Sequence, residues 1–254
     1  MKLKDAAVVV TGGASGLGAA VVRGFRARGA AVTIFDRDAD RGAELAQETG
    51  AGLCTVDVTD ELSVATAIAE AVETMGQVNG LVNCAGIATG ARIVGRDGAH
   101  DLALFRRTID INLTGSFNCL RLCAAEMARN APAGGNADGE RGVIVNTASI
   151  AAFDGQKGQA AYAASKSAIA GMTLPAARDL ASLGIRVNAI APGVFTTPML
   201  EGLGQEIRDG LAAEVTFPRR LGEPVEFAAL AAFLFECAYL NGEVIRLDGA
   251  LRMR

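Results

Sequence analysis

The chain has 254 residues, half of them hydrophobic and a fifth charged, enough for a sizeable core in one or two domains. A net charge of −4 argues against a nucleic-acid or anionic-membrane partner. Five cysteines without a CxxC, a single histidine (His100) and no GxSxG argue against a zinc site and a Ser-His-Asp hydrolase.

Short apolar runs alternate with longer segments of helical period. "AAVVV" (6–10) precedes a helix from Gly16 to Arg28, and "AVTIF" (31–35) precedes one from about Ala39. "GLCTV" (52–56) leads into a helix over 60–76, then "GLVNCAG" (80–86). A polar loop and two helical stretches reach "GVIVNTAS" (142–149), and 130–142 reads as a surface loop. A long helix over 159–182 precedes "IRVNAIAPG" (185–193), and "GEVIRL" (242–247) closes the set. Strands that are apolar throughout, alternating with helices, predict a parallel sheet covered on both faces. No linker or repeat divides it, so residues 1–254 are expected to form a single doubly wound α/β domain.

"TGGASGLG" (11–18) follows the first strand and opens the first helix. Gly12, Gly16 and Gly18 permit a tight turn and close approach of a pyrophosphate to the helix N-terminus. Asp36 ends the second strand, at about the ~20-residue spacing expected of a carboxylate on the adenosine ribose. A carboxylate there repels a 2′-phosphate, so NAD is the expected cofactor, although Arg37 could blunt the preference. Asp57 and Val58 end the third strand, and Cys84, Ala85 and Gly86 follow Asn83 at the end of the fourth. Together they suggest an adenine pocket and a glycine-permitted approach to the cofactor at one sheet edge.

Ser149 ends the fifth strand, and Tyr162 and Lys166, four apart, share a face of the next helix. Hydride transfer between an alcohol carbon and a nicotinamide also needs a proton carrier at the oxygen. Lowering a tyrosine from its ordinary pKa of about 10 by ~3 units takes about 4 kcal/mol. A lysine ammonium ~5 Å away supplies about 3 kcal/mol at an effective dielectric near 20. The bound oxidised nicotinamide would provide the rest, and Ser149 would hold the substrate oxygen.

These motifs, with Asn112 and "PG" at 192–193, resemble the short-chain dehydrogenase/reductase family over nearly the whole chain, and "NCAG" stands where that family has "NNAG". The resemblance implies a Rossmann-type fold, a homotetramer, and Asn112, Ser149, Tyr162 and Lys166 as catalytic residues. Asn112 would hold a water that relays protons from Lys166. Longer strings such as "NTASIAAFDGQKGQAAYAASK" and "LNGEVIRLDGALRM" are similar to the branch that oxidises the 3-hydroxyl of acyl-CoA thioesters with NAD. That branch works in fatty-acid or branched-chain amino-acid breakdown and tolerates some steroids. It implies cofactor contacts at Ser15, Leu17, Asp36, Asp57, Val58, Cys84, Tyr162, Lys166, Phe195 and Thr197, beside Pro192 and Gly193. Gln159 would join Ser149 and Tyr162 near the substrate.

Residues 193–217 are the expected substrate lid, with Met199, Leu200 and Leu203 facing an acyl chain or a steroid. Arg92 and Arg96 could meet CoA phosphates or remain solvated. A 3-oxoacyl-carrier-protein reductase, or a steroid or polyol dehydrogenase, is the rival reading, and a non-catalytic dinucleotide sensor the remote one. The N-terminal stretch lacks the apolar length of a signal peptide, and no run approaches the ~18 residues of a membrane span. A soluble cytoplasmic protein with reduced cysteines is expected.

Overall fold

The computed structural model describes residues 1–96, 98–132, 138–201 and 204–253. Strand β1 (Ala7–Thr11) is buried throughout and enters α1 (Gly16–Arg26) through the glycine turn. Then come β2 (Ala31–Asp36), α2 (Ala39–Thr49), β3 (Gly52–Thr55), α3 (Glu61–Met75) and β4 (Gly80–Asn83). Asp38 and Asp60 accept from the backbone N–H groups of Arg41 and Ser63 and so start α2 and α3. Gly50 and Gly76, both left-handed, end those helices.

Two-residue strands β5 (Val94–Gly95) and β6 (Gly98–Ala99) pair antiparallel inside the loop expected to be irregular. The two helical stretches that follow are α4 (Leu102–Ile109) and α5 (Gly115–Met127), joined by a π-helical turn over Asp110–Thr114. The chain continues through β7 (Gly142–Thr147), α6 (Ala160–Leu180) and β8 (Ile185–Pro192). It closes with α7 (Pro198–Glu201), α8 (Gln205–Glu214), α9 (Pro224–Glu236) and β9 (Val244–Leu247).

All seven long strands lie in one parallel sheet, ordered β3-β2-β1-β4-β7-β8-β9. This is a Rossmann-like α/β fold. The chain winds outward from β1 to β3, then crosses back to β4 and winds the other way. The reversal leaves a crevice at the carboxyl ends of β1 and β4, where open α/β sheets bind ligands. Two strand ends differ from the sequence expectation: β3 stops at Thr55 and β7 at Thr147. Asp57 and Ser149 therefore stand beyond the ladder, on loops that can aim their side chains into the crevice.

Alternation along each strand feeds two cores. Val8, Val10, Val82 and Val145 pack with Phe25, Phe227 and Phe235, from α1 and α9. Val9, Leu81 and Ile144 face the other way, toward α3, α5 and α6. The rings of Phe25 and Phe235 meet edge to face at 5.1 Å, fastening α1 to α9. Phe235 is fully buried, so Phe235→Ala is expected to cost about 3–5 kcal/mol in urea unfolding through cavity formation. Tyr239→Ala, at a fully exposed side chain, should stay within about 0.5 kcal/mol in the same assay.

Candidate active site

The glycine turn sits at the mouth of the crevice and is shaped by backbone contact. Gly12 and Gly16 have positive φ, 61° and 51°. A Cβ on Gly12 would lie 2.7 Å from the Ala85 nitrogen, and one on Gly18 would run into the Gly12 carbonyl. The turn is thus pressed against the Cys84–Ala85–Gly86 loop while Ser15, in extended conformation, opens α1 with its free N–H groups. Asp36 is built into the same turn: Oδ2 accepts from the Ala14 N–H at 2.9 Å and Oδ1 from the Asp38 N–H at 3.0 Å. Arg37 extends toward Asp57, with Nε 3.8 Å from its Oδ2. Thr59, through its hydroxyl and N–H, holds the Asp57 carboxyl below its ordinary range, with Arg37 adding to the effect. Val58 is buried, and Gly115 of α5 leaves it room.

One cleft of about 790 Å³ runs from this turn to the far side of β8. Gly12, Ser15, Gly16, Leu17 and Gly18 line one end, with Asp36, Asp57 and Val58 beside them. Cys84, Ala85 and Gly86 border the same cleft, as do Pro192, Gly193, Phe195 and Thr197. Ser149, Gln159, Tyr162 and Lys166 line it as well. The helix N-terminus, the glycine cradle that any side chain would fill, and a fixed carboxylate at hydroxyl-binding position together fit a dinucleotide.

At the reactive end, Lys166 is only 5% exposed, and its Nζ donates to the Thr147 carbonyl at 2.7 Å. Burial lowers its pKa from 10.5 to about 8. Its Nζ lies 5.9 Å from the centre of the Tyr162 ring. Burial pushes the Tyr162 phenol above its ordinary pKa, and the hydrogen bond with Ser149 offsets only part of that. The net shift is thus upward, opposite to the lowering that the spacing to Lys166 predicts, because burial dominates. Ser149 starts a short helical turn, its Oγ accepting from the Ala151 N–H at 3.1 Å. Cys84, where the family resemblance implied an amide, accepts from the Thr147 hydroxyl at 3.7 Å, and burial raises its thiol to about 11.

Asn112 lies behind the cleft wall, fully buried in the π-helical turn. Its Oδ1 accepts from the Ile87 N–H at 2.8 Å. Its Nδ2 donates to the Ile87 carbonyl at 2.9 Å and to Ser165 Oγ at 3.1 Å. Ser165 Oγ in turn donates to the Tyr162 carbonyl at 2.7 Å. The carboxamide thus ties the loop after Gly86 to the helix that carries Tyr162 and Lys166. The π-turn is a common device at functional sites, and nothing in the periodicity of 102–127 signals it.

Arg92 and Arg96 are exposed and do not line the cleft, whereas Arg107 of α4 does. Leu200 borders the cleft; the Met199 side chain and Leu203 lie outside the described residues. Sequence reasoning missed Ile150, Val194 and Met253, which line the cleft near Ser149. Each is an ordinary apolar residue with no motif around it.

The model of the short chain dehydrogenase family matches residues 6–208. The chain is 51% identical to 3-hydroxyacyl-CoA dehydrogenase type-2 of Drosophila melanogaster, over 99% of each chain. It is 49% identical to the Homo sapiens protein of the same name, over 99% of this chain and 97% of that one. The crystal structure of 3-hydroxyacyl-CoA dehydrogenase type-2 from Mycobacterium avium superposes with a TM-score of 0.94 at 48% identity. The alignment covers 99% of this chain and 98% of that one.

The lowered Lys166 pKa has a consequence for stability. A lysine at about 8 in the folded chain and near 10.5 when unfolded holds fewer protons folded across that window, so stability rises with pH through it. Lys166→Met removes this dependence. In urea unfolding, wild type should gain on Lys166→Met by about 2 kcal/mol between pH 7 and 9.5. A gap independent of pH would contradict a Lys166 whose pKa burial has lowered.

Proposed function

This chain belongs to the short-chain dehydrogenase family, and we propose that it oxidises (3S)-3-hydroxyacyl-CoA reversibly to 3-oxoacyl-CoA with NAD. It is an oxidoreductase acting on CH–OH groups. The observation that carries the reading is the grouping of Ser149, Tyr162 and Lys166 in the cleft whose other end holds the glycine turn and Asp36. Bound NAD would accept the carbinol hydride at its nicotinamide. Ser149 would hold the substrate oxygen, and Tyr162 would take its proton. Lys166, protonated, would stabilise the Tyr162 phenolate as it forms. Asn112 has both Nδ2 protons and one Oδ1 lone pair in use, so we assign it the task of fixing the Ile87 backbone against α6.

Asp36 supports NAD over NADP: its carboxylate is held by the Ala14 and Asp38 N–H groups and repels a third phosphate. Arg37 leans on Asp57, which moderates any pull it exerts on that phosphate. The acyl-CoA substrate rests on the near-full-length similarity to proteins of that name. A steroid, polyol or acyl-carrier-protein substrate is the competing reading.

We also take residues 1–254 as one domain, with a lid over 193–217; α8, within it, has no buried residue. Exposed Phe217, Val225 and Phe233, on and around α9, suit a subunit interface of a homotetramer. Five free thiols suit a reducing compartment, here assigned as the cytoplasm.

With NAD and a panel of alcohols, 3-hydroxybutyryl-CoA should be turned over well. An inert 3-hydroxybutyryl-CoA beside an active steroid or polyol would overturn the substrate assignment. Tyr162→Phe should lose turnover by at least about a thousandfold while NADH affinity stays within about threefold. Asp36→Ala should reduce the preference for NAD over NADP by at least about tenfold, read as a ratio of kcat/KM.

A further inference from the structure

The segment after β9 is folded back toward the reactive end by unusual means. Gly249 and Ala250 both have positive φ, 58° and 64°, and an alanine there is strained. Asp248 holds the reversal, its Oδ1 accepting from the Ala250 N–H at 3.0 Å. Its Oδ2 accepts from Arg246 Nε at 2.7 Å and Arg252 Nη1 at 3.0 Å.

Arg246 then reaches across to the segment that follows Ser149. Its Nη2 donates to Asp154 Oδ2 at 2.5 Å and to the Leu251 carbonyl at 3.1 Å, and its guanidinium lies 5.4 Å from the Phe153 ring centre. The Met253 backbone adds slightly to the influences that hold the same Asp154 carboxyl below its ordinary range, of which Arg246 is the largest. Leu251 is buried with Ile150 and Val215, and Val194 and Met253 pack against that cluster. Met253 also lines the cleft that contains Ser149 and Tyr162.

We infer that Met253 is a specificity-determining residue: it forms the wall against which the substrate's alkyl chain packs, held there by the Arg246–Asp154 clasp. Its surroundings are hydrocarbon, a poor place for a thioester and its polar arm but a good one for an acyl chain. Arg246 and Asp154 are positioning residues. They touch neither the crevice mouth nor the proton-transfer groups, yet they set where Met253 stands relative to Ser149. The inference rests on the acyl-CoA reading for the name of the chain, though not for the presence of the wall.

The test compares wild type, Met253→Ala, Met253→Phe and Asp154→Asn, using NAD and straight-chain 3-hydroxyacyl-CoAs from butanoyl to dodecanoyl. The readout is the ratio of kcat/KM for the longest to the shortest, with NADH affinity as a check on folding. Met253→Ala should raise that ratio about tenfold and Met253→Phe should lower it by a similar factor. Asp154→Asn should move it in the same direction as Met253→Ala. NADH affinity should be unchanged in all four. A ratio within about twofold of wild type in both Met253 variants would overturn the inference. If wild type turns over no 3-hydroxyacyl-CoA, the substrate reading fails separately. The same ratio is then taken between a large and a small member of whichever alcohol class is active. A shift in both Met253 variants there supports the wall, and a ratio within about twofold of wild type overturns it.

Discussion

Lys166 keeps an ammonium group almost out of contact with water, and the reactive end of the cleft is organised around the cost of doing so. Lowering its pKa from 10.5 to about 8 corresponds to about 3 kcal/mol lost to desolvation. Its Nζ donates to a neutral acceptor, the Thr147 carbonyl, and the nearby Cys84 thiol is itself held neutral by burial. A buried cation so poorly compensated favours any reaction step that creates an anion beside it. Deprotonating Tyr162 is such a step. Burial disfavours the charged form of each, raising Tyr162 and lowering Lys166, and a phenolate formed beside the ammonium offsets part of both costs.

Such tuning requires fixed geometry, and the fixing is done largely by backbone hydrogen bonds from buried polar side chains. Thr11, Asn83 and Asn146 stand side by side at the ends of β1, β4 and β7. Asn83 bonds both neighbours and the Ser116 carbonyl. Ser116 bonds the Asn112 carbonyl, Asn112 spans Ile87 and Ser165, and Ser165 bonds the Tyr162 carbonyl. A continuous polar chain thus runs from the glycine turn to the proton-transfer helix beneath the cleft. The Nδ2 of Asn146 alone among its members is buried without a partner. Apart from that atom the network is satisfied, and satisfied networks hold a unique arrangement in a low-dielectric interior.

The strand-helix alternation was legible because fully buried parallel strands must be apolar along their whole length, and all seven such runs became strands of one sheet. The glycine turn, Asp36, Ser149, Tyr162 and Lys166 were legible because residue type and spacing are tied to one chemistry. What escaped was long-range or conformational. The π-turn at Asn112 inserts one residue's worth of register that a helical periodicity absorbs without trace. The Arg246–Asp154 pair joins residues 92 apart, and Met253 is one methionine among six. The direction of the Tyr162 shift escaped for a related reason: spacing reports proximity to Lys166, whereas burial, which dominates, belongs to the folded chain.

The central claim, that Tyr162 waits at a raised pKa until the oxidised cofactor arrives, can be measured on the phenol itself. The chain has only two tyrosines, so the Tyr162 signal can be assigned by its loss in Tyr162→Phe. Titration by NMR of protein carrying 13Cζ-tyrosine would follow the Tyr162 ring, without and with saturating NAD. The account predicts that Tyr162 titrates above the ordinary phenol value of about 10 in the free chain and falls below that value by about two units or more once NAD is bound. A Tyr162 that titrates below about 10 in the free chain, or that is unmoved by NAD, would contradict it.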